Sequence, residues 1–229
     1  MVDNGEEPPA LDRHPDVRCV RIPRFAGPAQ SRNFGASLAT GEYVAFLDDD
    51  DLWEDRYLEK VAAAVQQEQP DCLITRHDKL IDGEVVAYKC AAGHLTLDEL
   101  LVRNPGASGS STVVRRTAFL EVSGYDARLT TGEDKALVIS MLLNGWKVCA
   151  EPEIQAILRH HEGPRMRDRR AQGVLEFVRH YGRHMTAQQR HRNLAKAYRI
   201  RFRARRDRRD RLRARYHEAL SRFAGLWGR

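Results

Sequence analysis

Long apolar runs are missing from this sequence, and none approaches the roughly 20 residues that a helix needs to cross a bilayer. Cysteine is scarce, with four in 229 residues, far apart and without a C-x-x-C pair. That spacing favours reduced, mostly structural thiols in a cytosolic protein over a disulfide framework or a zinc site. The acidic N-terminus lacks the basic segment and apolar stretch of a secretory signal, so we expect no such signal.

Charge divides the chain into two parts. Residues 1–185 carry 23 Lys and Arg against 29 Asp and Glu, a net charge of −6. Residues 186–229 carry 15 Lys and Arg against 3 Asp and Glu, a net charge of +12. We therefore predict an acidic body at 1–185 that is followed by a strongly basic tail at 186–229.

Strand and helix patterns alternate along the body. The apolar segment at 43–47 stops abruptly at Asp48, which is typical of a buried parallel strand that delivers residues to a site. The alternation predicts an α/β fold with a Rossmann-like, mostly parallel sheet and helices on both faces. We predict strands at 17–22, 43–47, 72–75, 111–114, 146–150 and 154–160, a hairpin at 77–89 with Asp82-Gly83 as its turn, and helices at 28–40, 54–67, 97–102, 117–122, 133–143 and 169–184.

Four consecutive carboxylates, from Asp48 to Asp51, follow the strand at 43–47. Crowding them costs free energy unless a cation compensates, and oxygen-rich clusters suit hard cations such as Mg²⁺ or Mn²⁺. Ligands bind beyond the carboxyl ends of the strands in this class of sheet, which places a site at this loop. The alternative is a solvated turn at a helix N-terminus, in which Asp51 caps the following helix.

Two passages resemble the family-2 glycosyltransferases, which have the A-type fold. Residues 46–53 read F-L-D-D-D-D-L-W and resemble the family's F-L-D-x-D-D-x-W segment. Residues 27–35 and 39–43 read G-P-A-Q-S-R-N-F-G and A-T-G-E-Y, and they resemble its G-x-x-x-A-R-N-x-G and A-x-G-E-Y passages. The resemblance implies that Arg32, Asp48 and Asp49 bind the nucleotide sugar, and that Asp48 and Asp50 form the D-x-D pair at the metal and the diphosphate. Without these passages, Arg32 alone favours the interpretation as a surface arginine of a helix.

A second pair of acids lies downstream. Residues 124–134 read G-Y-D-A-R-L-T-T-G-E-D and resemble the family's G-x-D-x-x-x-x-x-x-E-D element, in which the aspartate acts as general base. An inverting transfer needs a carboxylate beside the acceptor hydroxyl, to accept its proton during in-line attack on the anomeric carbon. Asp134 is the candidate for this base, and Glu133 for binding the acceptor or orienting the loop. The alternative is an acid-rich helix start.

A late histidine motif completes the resemblance. Residues 159–163 read R-H-H-E-G and resemble the family's R-x-H-x-G-S element, in which a histidine completes the metal shell. We assign that role to His161, with His160 as its competitor. The alternative is a pair of half-exposed histidines at the end of a strand.

The family's usual first strand and first helix have no counterpart in this sequence. Residues 1–5 read M-V-D-N-G and resemble the end of the family's second strand, where Asp3 matches the acid that binds the base. We therefore expect an N-terminally incomplete domain. Three explanations stay open: a true start upstream of Met1, which we favour, an inactive fragment, or a second chain that supplies the missing piece.

The tail predicts an amphipathic basic helix. Residues 190–215 are dense in arginine, and a stripe of apolar residues at three-to-four spacing follows: Leu212, Tyr216, Ala219, Leu220, Phe223 and Trp227. Such a helix lies on an anionic membrane surface, which is the favoured reading. It can instead pack its stripe on the acidic body, or bind nucleic acid through phosphate contacts.

Together these features predict a glycosyltransferase catalytic domain at 1–185 with a basic helical tail. The expected reaction transfers a sugar from a nucleotide-sugar donor, with UDP as the favoured nucleotide, to a hydroxyl of a glycan or lipid-linked acceptor. We expect inversion, assistance by Mg²⁺ or Mn²⁺, and a role in cell-surface polysaccharide or glycolipid synthesis. The expected location is the cytoplasm, peripheral on the inner face of the membrane. The rival is a catalytically inactive, glycosyltransferase-like binding fragment.

Overall fold

The computed structural model describes residues 1–3, 5, 16–23, 27–89, 95–159 and 164–226. Strands and helices alternate along the body, as the sequence predicts. In chain order the elements are β1 (Val2–Asp3), β2 (Val20–Arg21), α1 (Pro28–Leu38), β3 (Tyr43–Ala45), β4 (Leu52–Trp53), α2 (Tyr57–Glu68), β5 (Cys72–Ile81), β6 (Glu84–Lys89), α3 (Leu97–Val102), β7 (Thr112–Arg115), α4 (Arg116–Glu121), α5 (Glu133–Leu143), β8 (Val148–Arg159), α6 (Pro164–Tyr181), α7 (Ala187–Arg205) and α8 (Arg208–Leu226).

The main sheet is mixed. Its described strands lie in the order β3-β7-β5-β8-β4, with β6 paired to β5. β5 and β8 run parallel, whereas the β3–β7, β5–β7, β4–β8 and β5–β6 pairs are antiparallel. The α/β class is confirmed, but the expectation of a mostly parallel sheet is wrong. The β5–β6 hairpin reverses the direction of the chain before α3. β7 then runs antiparallel to both of its neighbours, β3 and β5.

Two predicted strands, at 146–150 and 154–160, form the single strand β8. Its parallel register with β5 jumps from Thr75 opposite Glu151 to Arg76 opposite Gln155. The extra residues, which include Pro152, form a bulge, and a bulge is a position where a sheet tolerates proline. The predicted hairpin at 77–89 is confirmed: it turns at Asp82 and Gly83, which both have positive φ, as a tight two-residue hairpin turn requires.

The core covers both faces of the main sheet. On β5, Cys72 and Ile74 pack into one cluster and Leu73 into the other, because successive side chains of a strand point to opposite faces. The first face packs against α1, α3, α4, α5 and α6, and the second against α2. The described cysteines are free, and burial raises the pKa of the Cys72 thiol to about 12. This side chain is therefore a structural thiol.

The basic tail forms two helices where the sequence predicts one. α7 begins at a capping box of Thr186 and Gln189. It ends at Arg206, which has a φ of 57°, and the next residue, Asp207, accepts the Arg209 N–H at 2.8 Å on its carboxylate. Asp207 thereby starts α8, since an aspartate at this position satisfies a free N–H of the first turn.

The two tail helices form an antiparallel hairpin. Ser221 of α8 donates to the carbonyl of Gln188 near the start of α7, and Arg201 near the end of α7 pairs with Asp210. The boundary between a body at 1–185 and a tail at 186–229 stays a prediction. Within the described part of the chain, no helix combines the length and the apolar character that crossing a membrane requires.

Most of the predicted apolar stripe of the tail faces solvent. Leu212, Tyr216 and Phe223 are 65%, 62% and 60% exposed. The alternative that these three side chains pack on the acidic body is therefore wrong. Trp227, the last member of the predicted stripe, lies outside the described residues.

Candidate active site

Arg32 is the centre of a charged cluster that joins α1, the loop after β3 and the start of α5. Its Nη2 donates to both carboxylate oxygens of Asp48, at 2.9 and 2.6 Å. Its Nη1 donates to Glu133 at 3.3 Å and to Asp134 at 3.4 Å. The Arg32 side chain is only 10% exposed. One guanidinium therefore connects Asp48 of the acidic loop (Asp48–Asp51) with Asp134, the predicted base.

Three elements deliver these side chains. α1 carries Arg32 and is fixed in place by the next residue, Asn33, whose amide group exchanges two 2.8 Å hydrogen bonds with the backbone of Tyr125. The acidic loop, Asp48–Asp51, follows Phe46 and Leu47 at the end of β3. α5 begins after Gly132, which has a φ of 91°, and its first two residues are Glu133 and Asp134. Acids are favourable at a helix N-terminus, so the predicted helix start and the predicted site coincide.

The electrostatics of the cluster are strained, because three carboxylates share one guanidinium. Burial and repulsion from Glu133 raise the pKa of Asp134 to about 8, although Arg32 acts in the opposite direction. Burial opposes the charge of Arg32 as well, yet Asp134 and Asp48 hold its pKa above the ordinary arginine value. A carboxyl group that titrates near neutral pH is suited to exchange a proton with a hydroxyl.

The floor of the cluster is a tight turn, Gly109–Ser111, which sequence reasoning missed. A Cβ at Gly109 would lie within 2.7 Å of three atoms of the Arg32 side chain, so a larger residue there would displace the guanidinium from this position. The hydroxyl of Ser110 accepts the Asp48 N–H at 3.0 Å and donates to Asp51 at 2.7 Å. A Gly-Ser-rich run directly before a strand signals this kind of close backbone approach.

Asp51 ties the acidic loop to the end of β8. Its carboxylate accepts the Arg159 N–H at 2.9 Å, and the Arg159 Nε donates to the carbonyl of Asp50 at 3.2 Å. The expectation that Asp51 caps the next helix is wrong. α2 starts at Tyr57, and its N-cap position is occupied by Arg56, whose side chain makes no capping hydrogen bond.

A family comparison identifies this arrangement. The model described as Glycosyl transferase family 2 matches residues 3–122, just over half of the chain. The chain belongs to glycosyltransferase family 2. The matched segment contains Arg32 and the acidic loop, whereas Glu133 and Asp134 lie beyond it.

Curated relatives of this family-2 chain are longer proteins. The pre-mycofactocin glycosyltransferase of Mycobacterium tuberculosis is 28% identical in an alignment of 182 residues that covers 73% of this chain and 38% of that protein. The succinoglycan biosynthesis protein ExoO of Rhizobium meliloti is 29% identical in an alignment of 162 residues that covers 65% of this chain and 47% of that protein. The chain thus spans less than half of the length of these relatives.

Solved glycosyltransferases share the fold of this family-2 chain. Staphylococcus aureus TarS in complex with UDP-GlcNAc has a TM-score of 0.51 at 16% identity, over 90% of this chain and 72% of that one. GalNAc-T7 with UDP, GalNAc and Mn²⁺ has a TM-score of 0.60 at 16% identity, over 86% of this chain and 44% of that one. The predicted A-type glycosyltransferase fold is confirmed.

The remaining predicted site residues of the family-2 chain are dispersed. Asp3 lies in the small parallel sheet of β1 and β2, where its carboxylate accepts the Gly5 N–H at 2.9 Å and lies 3.5 Å from Arg21 Nε. These contacts of Asp3 are separate from the Arg32 cluster. Asp49 is exposed at the tip of the acidic loop. His160 and His161 lie outside the described residues.

The acidic loop offers the kind of ligand atoms that a divalent ion needs. Asp48 and Asp50 stand two residues apart and offer carboxylate oxygens, which Mg²⁺ and Mn²⁺ prefer. No three His, Cys, Asp or Glu side chains converge as a metal cage anywhere in the described ranges. A magnesium-type ion needs no such cage when one or two carboxylates and the phosphates of a substrate complete its shell. The residues present therefore fit an ion that is shared with a diphosphate.

A cleft of about 230 Å³ borders the cluster on the side of Glu133. Glu133 is one of its walls and also accepts the hydrogen bond from Arg32. The other walls are the first residues of α1, the 127–130 segment and Arg169. This cleft is an open approach to the acids at the start of α5.

Proposed function

We propose that this chain transfers a sugar from a nucleotide-sugar donor, with a UDP-sugar as first candidate, to an acceptor hydroxyl with inversion and with the aid of Mg²⁺ or Mn²⁺. The observation that carries the proposal is the Arg32 cluster. It holds the D-x-D aspartate Asp48 and the candidate base Asp134 on one guanidinium, so donor and acceptor meet at one place.

The donor side of the site is the acidic loop. Asp48 and Asp50 would hold the divalent ion, with His161 as the proposed third ligand, and Asp3, Arg32 and Asp49 would bind the nucleotide sugar. When bound, such an ion neutralises the charge that grows on the departing diphosphate. The complexes of TarS with UDP-GlcNAc and of GalNAc-T7 with UDP and Mn²⁺ support this assignment.

Asp134 performs the proton transfer. Its carboxylate accepts the proton of the acceptor hydroxyl while that oxygen attacks the anomeric carbon and the bond from this carbon to the diphosphate breaks. Burial keeps its pKa close to the pH at which it works, which favours general base catalysis. Arg32 positions the Asp134 carboxylate, and the tight turn at Gly109 holds Arg32 in place.

The acceptor enters through the cleft at Glu133. Glu133 lines this cleft and also lies beside Asp134, so it can bind the acceptor close to the base. The arginines Arg128 and Arg169 line the same cleft. The acceptor class is a glycan or a lipid-linked glycan, in cell-surface polysaccharide or glycolipid synthesis, which the likeness to a succinoglycan biosynthesis protein supports.

The proposed location is the cytoplasm, peripheral on the inner face of the membrane. The free thiols of Cys19, Cys72 and Cys149 support a reducing compartment.

Product formation from a panel of nucleotide sugars with Mn²⁺ and glycan acceptors tests the proposal, with mass spectrometry of the acceptor as the readout. Transfer from at least one UDP-sugar is expected, and Asp134→Asn should remove it. Arg56→Gln, which changes an exposed arginine that pairs with Glu59 of α2 and takes no part in the cluster, should leave it unchanged. Transfer that survives Asp134→Asn would refute the assignment of the base.

A further inference from the structure

The outward face of α8 is apolar along its length. Leu212, Tyr216 and Phe223 are each at least 60% exposed. With 3.6 residues per turn, these positions fall within about 40° of one another around the helix. Three large apolar side chains therefore form one exposed stripe, which monomeric proteins rarely leave in water without a function.

The opposite face of α8 fixes this orientation. Ala214 is 3% exposed, and the ring of His217 stacks on Tyr198 and His191 of α7. Ser221 donates to the carbonyl of Gln188 at 3.2 Å. Because one side of α8 is occupied by α7, the apolar stripe must point away from the protein.

Arginines border the stripe on both sides. Helical geometry places Arg208, Arg215 and Arg222 along one edge and Arg209 and Arg213 along the other, and all five are exposed.

The acids of α8 point to the other side of the helix. Asp210 is buried against Arg201 at 2.8 Å, and Glu218 pairs with Arg199 at 3.0 Å. Both partners belong to α7. The outward face is therefore apolar and positive, with no carboxylate among its described residues.

A cationic groove lies beside the stripe. It has a volume of about 360 Å³ between α7 and α8, and its charged wall residues are Arg192, Arg199, Arg222 and Glu218, which pairs with Arg199. Lys196 adds a fourth cation on the same side of α7 as Arg192 and Arg199, since these residues stand one or two helical turns apart. With Glu218 as one acid beside four cations, this side of the hairpin keeps a net positive charge, which favours an anionic group such as a phosphate.

We propose that the outward face of α8 docks on a membrane that contains anionic phospholipids, with the stripe at the level of the acyl chains and the arginines at the phosphates. A second copy of the chain fits worse, because a two-fold contact would set arginines against arginines. A nucleic acid would contact the arginines but would leave Leu212 in water. The proposal does not depend on the sugar-transfer reaction.

Co-sedimentation of the 229-residue chain with vesicles tests the docking face without any nucleotide. Binding is expected to vesicles of phosphatidylcholine with phosphatidylglycerol, and not to phosphatidylcholine alone. The double variant Leu212→Ala/Phe223→Ala should lower the partition coefficient about tenfold or more, because it removes two large, exposed apolar side chains from the docking face. The matched control Leu58→Ala/Leu120→Ala likewise loses two large, exposed apolar side chains, but outside α8, and should bind like the parent.

A second pair separates the contribution of charge. Arg208→Gln/Arg215→Gln should weaken binding severalfold and flatten its salt dependence, whereas Arg56→Gln should change neither. Circular dichroism should report an unchanged fold for every variant, since all the altered side chains are exposed.

Several results would overturn the proposal. These are no binding of the folded chain to anionic vesicles, equal binding to neutral ones, or equal losses in the variant and control pairs. Release from vesicles by inorganic phosphate, but not by sodium chloride at the same ionic strength, would point to a free phosphate as the ligand of the groove. Tighter binding to duplex RNA than to vesicles, or a dimer that Leu212→Ala/Phe223→Ala disrupts, would point to the other two partners.

Discussion

Replacing Asp134 by asparagine should stabilise the protein at neutral pH while it abolishes sugar transfer. The pKa of Asp134 rises from 3.8 to about 8 in the folded protein, chiefly through burial and the neighbouring Glu133. Below about pH 4 the carboxyl is protonated in both the folded and the unfolded chain, and its burial is then not penalised by charge. Between about pH 4 and pH 8 the Asp134 carboxyl is ionised in the unfolded chain but mostly protonated in the folded protein. The wild-type protein therefore loses stability as the pH rises through this range.

The size of the effect follows from the shift. At about 1.4 kcal/mol per pKa unit, the roughly three units between 3.8 and pH 7 give an upper limit of about 4 kcal/mol. Asparagine has the same shape and can accept the hydrogen bond from Arg32, so we expect a gain of about 1 to 4 kcal/mol. For a chain of 229 residues each kcal/mol raises Tm by about 2–4 °C.

Thermal denaturation of Asp134→Asn and wild type, followed by circular dichroism at a series of pH values, measures this gain. The difference in Tm should be largest near pH 8 and should shrink as the pH falls toward 4. Calorimetry should report nearly unchanged affinity for UDP, because the base does not hold the donor.

Asp126→Asn is the matched control with the opposite sign. Burial raises the pKa of Asp126, but hydrogen bonds from Arg128 and Tyr181 outweigh it and lower the pKa. The ionised carboxylate of Asp126 therefore stabilises the fold at pH values above the pKa that Asp126 has in the unfolded chain. This stabilisation is lost as the pH falls through the lower pKa of the folded protein. Asp126→Asn should lower Tm at neutral pH and approach wild type in acid. A lower Tm for Asp134→Asn, or a difference that does not vary with pH, would contradict the account of the cluster.

Three further variants probe the support of the site. Gly109→Ala places a methyl group within 2.7 Å of the Arg32 side chain, so binding assays should show a loss of UDP affinity, with about 1–3 kcal/mol of stability lost in denaturation; wild-type affinity would contradict the proposed floor. Gly173→Ala places a methyl group within 2.9 Å of three atoms of Thr131, so it should displace α6 from the loop before α5 and lower both Tm and the rate of transfer; an unchanged Tm would refute this close contact. Asp50→Ala should remove the metal dependence of UDP binding, and normal binding with Mn²⁺ would put the ion elsewhere.

Local signals in the sequence predicted the elements that carry the acids. α5, which carries Glu133 and Asp134, has the predicted bounds of 133–143, because Gly132 precedes it and Asn144-Gly145 follows it. The motifs also named Arg32, Asp48, Glu133 and Asp134 as members of one site. What they did not predict is that Arg32 contacts residues about 100 positions away in the chain, since such a contact depends on how α1 and α5 pack.

Features that depend on contacts between distant residues were missed. The direction of β7 depends on the hairpin before it, and the floor at Gly109 depends on the approach of α1. The break between the two tail helices lies at Arg206 and Asp207, within a run of arginines where charge dominated the pattern. Each of these signals was present in the sequence but acquires its meaning only from a partner elsewhere in the chain.

Calorimetric titration of the chain with UDP, with and without Mn²⁺, tests the central claim most directly. The account predicts binding that appears only with the metal, because Asp48 and Asp50 would share the ion with the diphosphate. Binding of equal strength without metal, or no binding by a chain shown to be folded, would contradict the assignment of the acidic loop as the donor site.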